Sequence, residues 1–567
     1  MIMIESARSF SPELQSLVAS SHARLVASRA VERLWSNDHR LWKQDPTEIA
    51  NRLGWLNIVD DMKERVEELR SFASLVKARN IRDVVLLGMG GSSLGPEVLR
   101  ASFGSSRGFP RLWVLDSTIP GWIRQVTEAI DPARSLIILA SKSGGTIEVL
   151  SLFAHFWKMV HQASRNQGGE QFLAITDPGT GLEKLAAERQ FWRIFSSPPN
   201  IGGRYSVLSY FGLVPAAVMG LDVEQLLASA AKMIKLCQVQ DPVSGNPGAD
   251  LGATMASLAQ AGRNKVTIYT SPQIATFGLW AEQLIAESTG KEGTGLIPVA
   301  NEPPVSPSAY GPDRLFVYLR LKNDHNRPLD LHLARLARQG HPVQTVVLHD
   351  RYDIAAEFIR WEVATALAGH LLGIHPFDQP NVQESKDNTA HVLKTVQVTG
   401  KLPKQTVVTP AQAAAQLKRR CGPGCYVAIL AYTTPSPKME QVLRALRRIL
   451  VSKYHVTTTV GYGPRYLHST GQLHKGGPSS GLFLQLVESM SPDLAIPGAA
   501  FTFGTLARAQ AAGDIQALQT HARQAIVMSL GKSPISAIQA LAKSLLPRTK
   551  TSGPVVVHSK RQPGRRR

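Results

Sequence analysis

Val84-Val85-Leu86-Leu87-Gly88-Met89-Gly90-Gly91-Ser92-Ser93-Leu94-Gly95-Pro96-Glu97-Val98-Leu99 is the stretch that decides the fold. Four bulky apolar residues run in succession with no polar residue alternating between them, which suits a strand covered on both faces, as in a parallel sheet. Glycines then stop the strand, and PEVLRASF (96–103) begins a helical pattern. The same order recurs on either side. LWVLDS (112–117), SLIILASKS (135–143) and FLAITD (172–177) are further apolar runs of strand length, separated by helical segments such as IEVLSLFAHFWKMV. Strand and helix in alternation imply an α/β fold with a parallel sheet covered by helices on both faces.

Working outward, residues 1–75 place apolar residues at helical spacing (Leu34, Trp35, Leu53, Trp55, Leu56, Met62, Leu69) and read as a helical arm. Residues 76–240 form the first α/β unit. A second, 241–398, carries the strands VTIYTS (266–271), RLFVYLRL (314–321) and VQTVVLHD (343–350), with a Pro-rich loop at 302–312. Residues 399–545, with YVAILAY (426–432) and LFLQLV (482–487), read as a C-terminal α/β extension. Residues 546–567 read as a disordered basic tail.

The chain's 567 residues exceed what one core can hold, in keeping with this division. A composition of 43% apolar and 19% charged residues excludes disordered and fibrous classes. The N-terminus lacks the basic and apolar regions of a signal peptide, and the longest apolar stretch, Val207 to Val223, contains Ser209 and Pro215 and falls short of a membrane span. It reads as a buried helix. Three cysteines argue against a disulfide framework and for a reducing, cytoplasmic setting. Cys421 and Cys425 lack two further metal ligands at suitable spacing, so no metal site is expected. The net charge is +20, and eight basic residues with no acid lie after residue 540, so the tail could contact nucleic acid weakly.

The chemistry gathers at the ends of the strands. The loop from Gly88 to Gly95 could bring backbone N–H groups to an anion at a helix N-terminus. Its spacing fits neither the dinucleotide fingerprint nor a P-loop, although Asp116 imitates the acid that holds a ribose. This loop alone leaves nucleotide and sugar phosphate equally open. Ser141-Lys142-Ser143-Gly144-Gly145-Thr146 ends the third strand. Three hydroxyls and a lysine on flexible backbone can wrap a phosphate monoester, although the same residues could simply cap the helix that begins near Ile147.

Together, G-x-G-G-S-x-x-G-P, S-K-S-x-x-T, Ile201-Gly202-Gly203-Arg204-Tyr205-Ser206 and Pro376-Phe377-Asp378-Gln379-Pro380 with Lys386 resemble the sugar-isomerase (SIS) domains of the glucose-6-phosphate isomerases, across about residues 80–390. The region after 400 resembles the isomerase half of bacterial transaldolase–isomerase fusions, with no room for a transaldolase barrel before residue 80. The resemblance implies two SIS-type three-layer α/β/α domains and interconversion of glucose 6-phosphate and fructose 6-phosphate, in glycolysis and gluconeogenesis, without a cofactor. It also implies a sugar-phosphate substrate and a homodimer. Dual use of mannose 6-phosphate, a non-catalytic SIS-type sensor using the tail on nucleic acid, and a nicotinamide dehydrogenase are the rival readings. The dehydrogenase leaves the Ser141–Thr146 loop without a task.

Moving a carbonyl from C1 to C2 requires ring opening, a base for the proton alpha to the carbonyl, and a cation for the enediolate. By the resemblance, Glu287 is the base, Arg204 stabilises the enediolate, and Lys386 assists ring opening. Gly91, Ser92, Ser141, Lys142, Ser143 and Thr146 hold the phosphate, while Gly90, Gly203 and Gln379 touch the rest of the sugar. Glu287 lies in the last turn of a helix stopped by Gly290, where the helix dipole should raise its basicity. The ring-opening histidine of the related short enzymes lies in an L-H-S-x-G-Q segment shortly after the base. No histidine lies between Glu287 and Leu315 here, whereas Leu467-His468-Ser469-Thr470-Gly471-Gln472 occurs far downstream. The role therefore falls to His468, with His474 and His375 as competitors, and His468 could come from the same chain or from a neighbour.

Overall fold

The computed structural model describes residues 6–164, 169–241 and 245–547; most of the basic tail lies outside them. Fourteen strands occur among the described residues: β1 (Ser6–Ser9), β2 (Asp83–Gly88), β3 (Arg111–Leu115), β4 (Ser135–Ala140), β5 (Phe172–Thr176), β6 (Arg193–Ser196), β7 (Lys265–Thr270), β8 (Ile297–Ala300), β9 (Arg314–Leu321), β10 (Val343–Leu348), β11 (Tyr426–Tyr432), β12 (Thr457–Tyr462), β13 (Gly481–Glu488) and β14 (Gln524–Gly531). They form three sheets, ordered β3-β2-β4-β5-β6, β1-β10-β9-β7-β8 and β12-β11-β13-β14. Every pairing is parallel except β1 with β10.

The unbroken apolar runs behave as a doubly covered sheet requires. Val84 and Leu86 enter one core cluster, while Val85 and Leu87 enter another on the opposite face. In the third sheet Val427, Ile429 and Ala431 pack on one side, and Tyr426, Ala428, Leu430 and Tyr432 on the other. The first of these clusters also takes in the N-terminal helices and much of the second sheet, through Leu25, Trp55, Val266 and Val317. The first two α/β units thus share a core. The segment Val207 to Val223 contains the helix Tyr210–Val218, buried throughout. Among the described residues no helix is long and apolar enough to cross a membrane.

The N-terminal arm is not wholly helical. Ser6–Ser9 pairs antiparallel with β10 at the edge of the second sheet, and a four-residue strand of small and charged residues carries no apolar alternation to announce it. Cys421 and Cys425 are free, partly buried thiols, the second donating its backbone N–H to Gly422 O at 3.1 Å.

Two features of topology position the site. In the first sheet β2 has β3 on one side and β4 on the other, so the chain reverses its direction of progress at β2, where α/β sheets leave a crevice beyond the strand ends. Gly88 and Ala140 pair in register, placing the two loops of interest side by side. The chain leaving the third sheet reaches this crevice through His468. β12 ends at Tyr462 and leads into the turn Arg465–His468, whose Arg465 reaches Asp116 just beyond β3.

Candidate active site

One cavity of about 360 Å³ lies over the β2–β4 crevice, within the usual range for small-molecule sites. All thirteen residues assigned a role above line it: Gly90, Gly91, Ser92, Ser141, Lys142, Ser143, Thr146, Gly203, Arg204, Glu287, Gln379, Lys386 and His468. They come from six separate regions of one chain, including the C-terminal unit.

The glycines of the first loop serve close packing as much as backbone freedom. A Cβ on Gly91 would lie 2.0 Å from Gly203 O, and one on Gly90, at φ +55°, would lie 2.4 Å from His468 O. Side chains here would push away the loop of Arg204 and the turn of His468. On the second loop Ser141 Oγ and Thr146 Oγ1 are 3.0 Å apart. Gly144, at φ +68°, lets the loop fold against Thr180 and Leu182.

Lys142 departs from the expected geometry. It donates to both carboxylate oxygens of Asp177 at 2.7 Å and to Pro198 O at 3.1 Å. Its charge is thus held at the cavity wall by an acid that follows the neighbouring strand β5. Arg52 and Glu48 of the N-terminal arm also line the cavity, and no local signal in the sequence marks them.

Glu287 ends the helix Phe277–Thr289 and is 4% exposed. Its carboxyl is pushed up to about 7. The chief cause is burial; Arg204, His468, a hydrogen bond from Gln283 and Lys291 oppose it. Arg204 Nη1 lies 3.5 Å from Glu287 Oε2. The guanidinium is fixed by Ser288 Oγ (2.9 Å), Pro376 O (2.7 Å), Asp378 O (3.0 Å) and Gln379 Oε1 (3.3 Å). Those acceptors tie the G-G-R segment to the P-F-D-Q segment through one side chain. Lys291 pairs with Asp378, and burial lowers its ammonium, with Asp378 opposing. Lys386 stands exposed on the helix Pro380–Thr399 at the rim.

The L-H-S-T-G-Q segment is bound in place by the helix that carries Glu287. Gln283 donates to His468 O (2.9 Å), and Gln472 donates to Gly290 O (3.0 Å) and Asn381 Oδ1 (2.8 Å). A Cβ on Gly290 would lie 2.5 Å from Leu473 Cα, so the helix end admits this contact only as glycine. His468 Nε2 lies 2.8 Å from Glu148 Oε1. Burial alone would raise the Glu148 carboxyl, but His468 and Lys386 bring it below its ordinary value. Sequence reading passed over Glu148, because an acid in a first helical turn usually faces water.

The competing histidines lie elsewhere. His474 is 3% exposed and rests against Phe483 and Tyr466 outside this cavity. His375 accepts from Phe377 N at 3.1 Å, and its other ring nitrogen lies 3.2 Å from Thr47 O. Asp116, the ribose-like acid, is buried and holds Arg465 by two hydrogen bonds of 2.7 and 2.8 Å, so it is not offered to a nucleotide.

A profile of the family described as phosphoglucose isomerase matches residues 7–295. The chain is 30% identical over 374 residues to a glucose-6-phosphate isomerase of Rubrobacter xylanophilus, an alignment spanning 57% of this chain and 85% of that one. It is 27% identical over 382 residues to a probable glucose-6-phosphate isomerase of Methanococcus maripaludis, spanning 60% and 84%. Among solved structures, a glucose-6-phosphate isomerase of Chlamydia trachomatis matches with a TM-score of 0.58 at 17% identity, over 72% of this chain and 89% of that one. A hypothetical protein of Thermus thermophilus matches with a TM-score of 0.59 at 24% identity, over 69% and 100%. The structural likenesses speak for the fold, and the family profile and sequence relatives go further: the chain belongs to the phosphoglucose isomerase family.

Proposed function

We propose that this chain interconverts glucose 6-phosphate and fructose 6-phosphate through an enediolate, with Glu287 as the base. The observation that carries the reading is a buried carboxyl of raised proton affinity, 3.5 Å from a fixed guanidinium, in the same cavity as a hydroxyl-rich loop. A carboxylate that must take and return a carbon-bound proton gains from an affinity near neutrality. The developing oxyanion gains from a cation that needs no reorganisation.

In this reading the phosphate sits among Ser141, Ser143, Thr146 and the backbone of Gly91 and Ser92, and the carbon chain runs toward Glu287. His468 takes the proton of the anomeric hydroxyl while Lys386 supplies one to the ring oxygen, which opens the ring. Glu287 then removes the C2 proton, and the electron pair shifts to O1 as the enediolate forms beside Arg204. Return of that proton to C1, with transfer of the O2 proton to O1, completes the ketose. Lys142, engaged by Asp177, contributes its charge to the phosphate end without direct contact. Every group in this set belongs to one chain.

Direct detection of the ketose formed from glucose 6-phosphate and from mannose 6-phosphate, with EDTA and without added nucleotide, tests the proposal. Ketose phosphate should form from the glucose epimer. Failure to turn over either epimer would overturn it.

A further inference from the structure

A smaller lobe of about 190 Å³ opens beside the main cavity, sharing His468 and Lys386 with it. Its floor is a line of buried polar groups to which the reaction above assigns no task. Thr118 Oγ1 donates to Gln510 Oε1 at 2.7 Å, and Gln510 Nε2 donates to Glu148 Oε1 at 2.7 Å. The same Glu148 oxygen lies 2.8 Å from His468 Nε2. Thr118, Gln510 and Glu148 are 0%, 2% and 3% exposed. They come from the loop after β3, the helix Phe503–Thr520 and the helix Ile147–Ser164.

The direction of these bonds is determined by what each group can do. A primary amide presents an acceptor on one side and donors on the other. Were the amide of Gln510 turned over, its oxygen would face a carboxylate oxygen at contact distance, and a buried mismatch of that kind is costly. With the hydroxyl of Thr118 donating to the carbonyl, the NH₂ must face Glu148. An amide nitrogen only donates, so Glu148 Oε1 accepts from it, and with the carboxyl held below its ordinary value that oxygen is ionised. That oxygen must then also accept from His468, which places the imidazole proton on Nε2 and leaves Nδ1 to exchange a proton.

We propose that Gln510, oriented by Thr118, is a positioning residue that sets the tautomer and orientation of His468 for ring opening. The proposal rests on the assignment of ring opening to His468. Gln510 and His468 both come from the C-terminal unit, which thereby supplies the proton-exchanging group and part of its support.

The test is Gln510→Met, which keeps the length of the side chain and removes both hydrogen bonds. Turnover of glucose 6-phosphate should fall about tenfold, as for loss of one hydrogen bond to a charged group, with KM nearly unchanged. Isomerisation of a tetrose 4-phosphate, which has no free hydroxyl to close a ring, should be unaffected. The Glu148 carboxylate loses a donor that stabilises its charged form, so its proton affinity should rise and the pH profile should move upward with it. The other charged groups facing Glu148 and His468 are Lys386 and Glu287, with Asp514 held by Lys475 and the phenol of Tyr432 behind Glu148, and none changes in the variant. Thr118→Val should give a smaller loss of the same pattern, and Thr118→Ser, which keeps the hydroxyl, should recover most of it. If Gln510→Met does not fold, the Thr118 pair decides.

Equal losses on the ring-forming and open-chain substrates, or no loss in Gln510→Met, would overturn the proposal. His468→Ala measured in parallel separates the two layers. Should it spare ring opening, the assignment of His468 fails; should it abolish ring opening while Gln510→Met does not slow it, only the role of Gln510 fails.

Discussion

Glu287 carries the most exposed physical argument, because its proton affinity and its proposed role can be tested on one curve. Burial pushes the carboxyl up from 4.5 to about 7. A base of that affinity is about one-tenth ionised at pH 6 and about nine-tenths at pH 8. kcat/KM should therefore rise about tenfold per unit on the acid side and level off above neutrality. The substrate's phosphate, with its second ionisation near about 6, adds a shallower limb that remains in every variant. Glu287→Gln should lower turnover by about 100-fold or more and remove the limb near neutrality, leaving the phosphate's. The same shift predicts the sign of a stability effect. Between the unfolded and folded affinities the native state holds a proton that the unfolded chain has released, so this contribution is present below about 4.5 and is lost as pH rises through about 7. Above pH 7 the buried charge costs on the order of 3 kcal/mol, and Glu287→Gln should relieve part of it in chemical denaturation at pH 8. An acid limb between about 4 and 5 would refute the burial argument, and a variant with near-normal turnover would remove Glu287 from the mechanism.

Ser143→Ala and Thr146→Val each remove a hydroxyl that grips the phosphate equally in ground and transition states, so each should raise KM about tenfold with turnover little changed; a change confined to turnover would show that the phosphate lies elsewhere. Asp116→Asn strips Arg465 of its paired carboxylate, a loss of on the order of 3–5 kcal/mol for a buried pair. Since Arg465 begins the turn that carries His468, thermal unfolding should shift downward and activity should fall with it; an unchanged melting curve would refute the pairing's importance. Specific activity should stay constant on dilution to concentrations where sedimentation finds only single chains, and loss of activity in step with dissociation would show that a second copy completes the site.

The α/β architecture was legible because a doubly buried strand has little freedom in composition. VVLLGM and SLIILASKS can scarcely be anything else, and their pairing at the sheet's reversal point brings the two loops together. β1, β6, β8, β12 and β14 escaped notice: the first four are short or polar, as in Thr457-Thr458-Thr459, and β14, Gln-Ala-Ile-Val-Met-Ser-Leu-Gly at a sheet edge, mixes buried and exposed positions without alternation, so their register is supplied by neighbours rather than by their own periodicity. The site divides along the same line. The hydroxyl loop and Glu287 could be found from local motifs, but the partners of Lys142 and His468 could not. Lys142 lies among hydroxyls in sequence, yet Asp177 meets it across 35 positions, and Glu148 meets His468 across 320. Such partners hold a charge or a tautomer through a single long-range contact, which leaves no trace in spacing. Glu148 and Gln510 read locally as one acid near a helix start and one amide within a helix, and only the fold makes them neighbours. The groups proposed to touch the substrate could thus be read from this chain's motifs, whereas those proposed to set their protonation lie where separate units of the chain meet, here between the first sheet and the C-terminal unit.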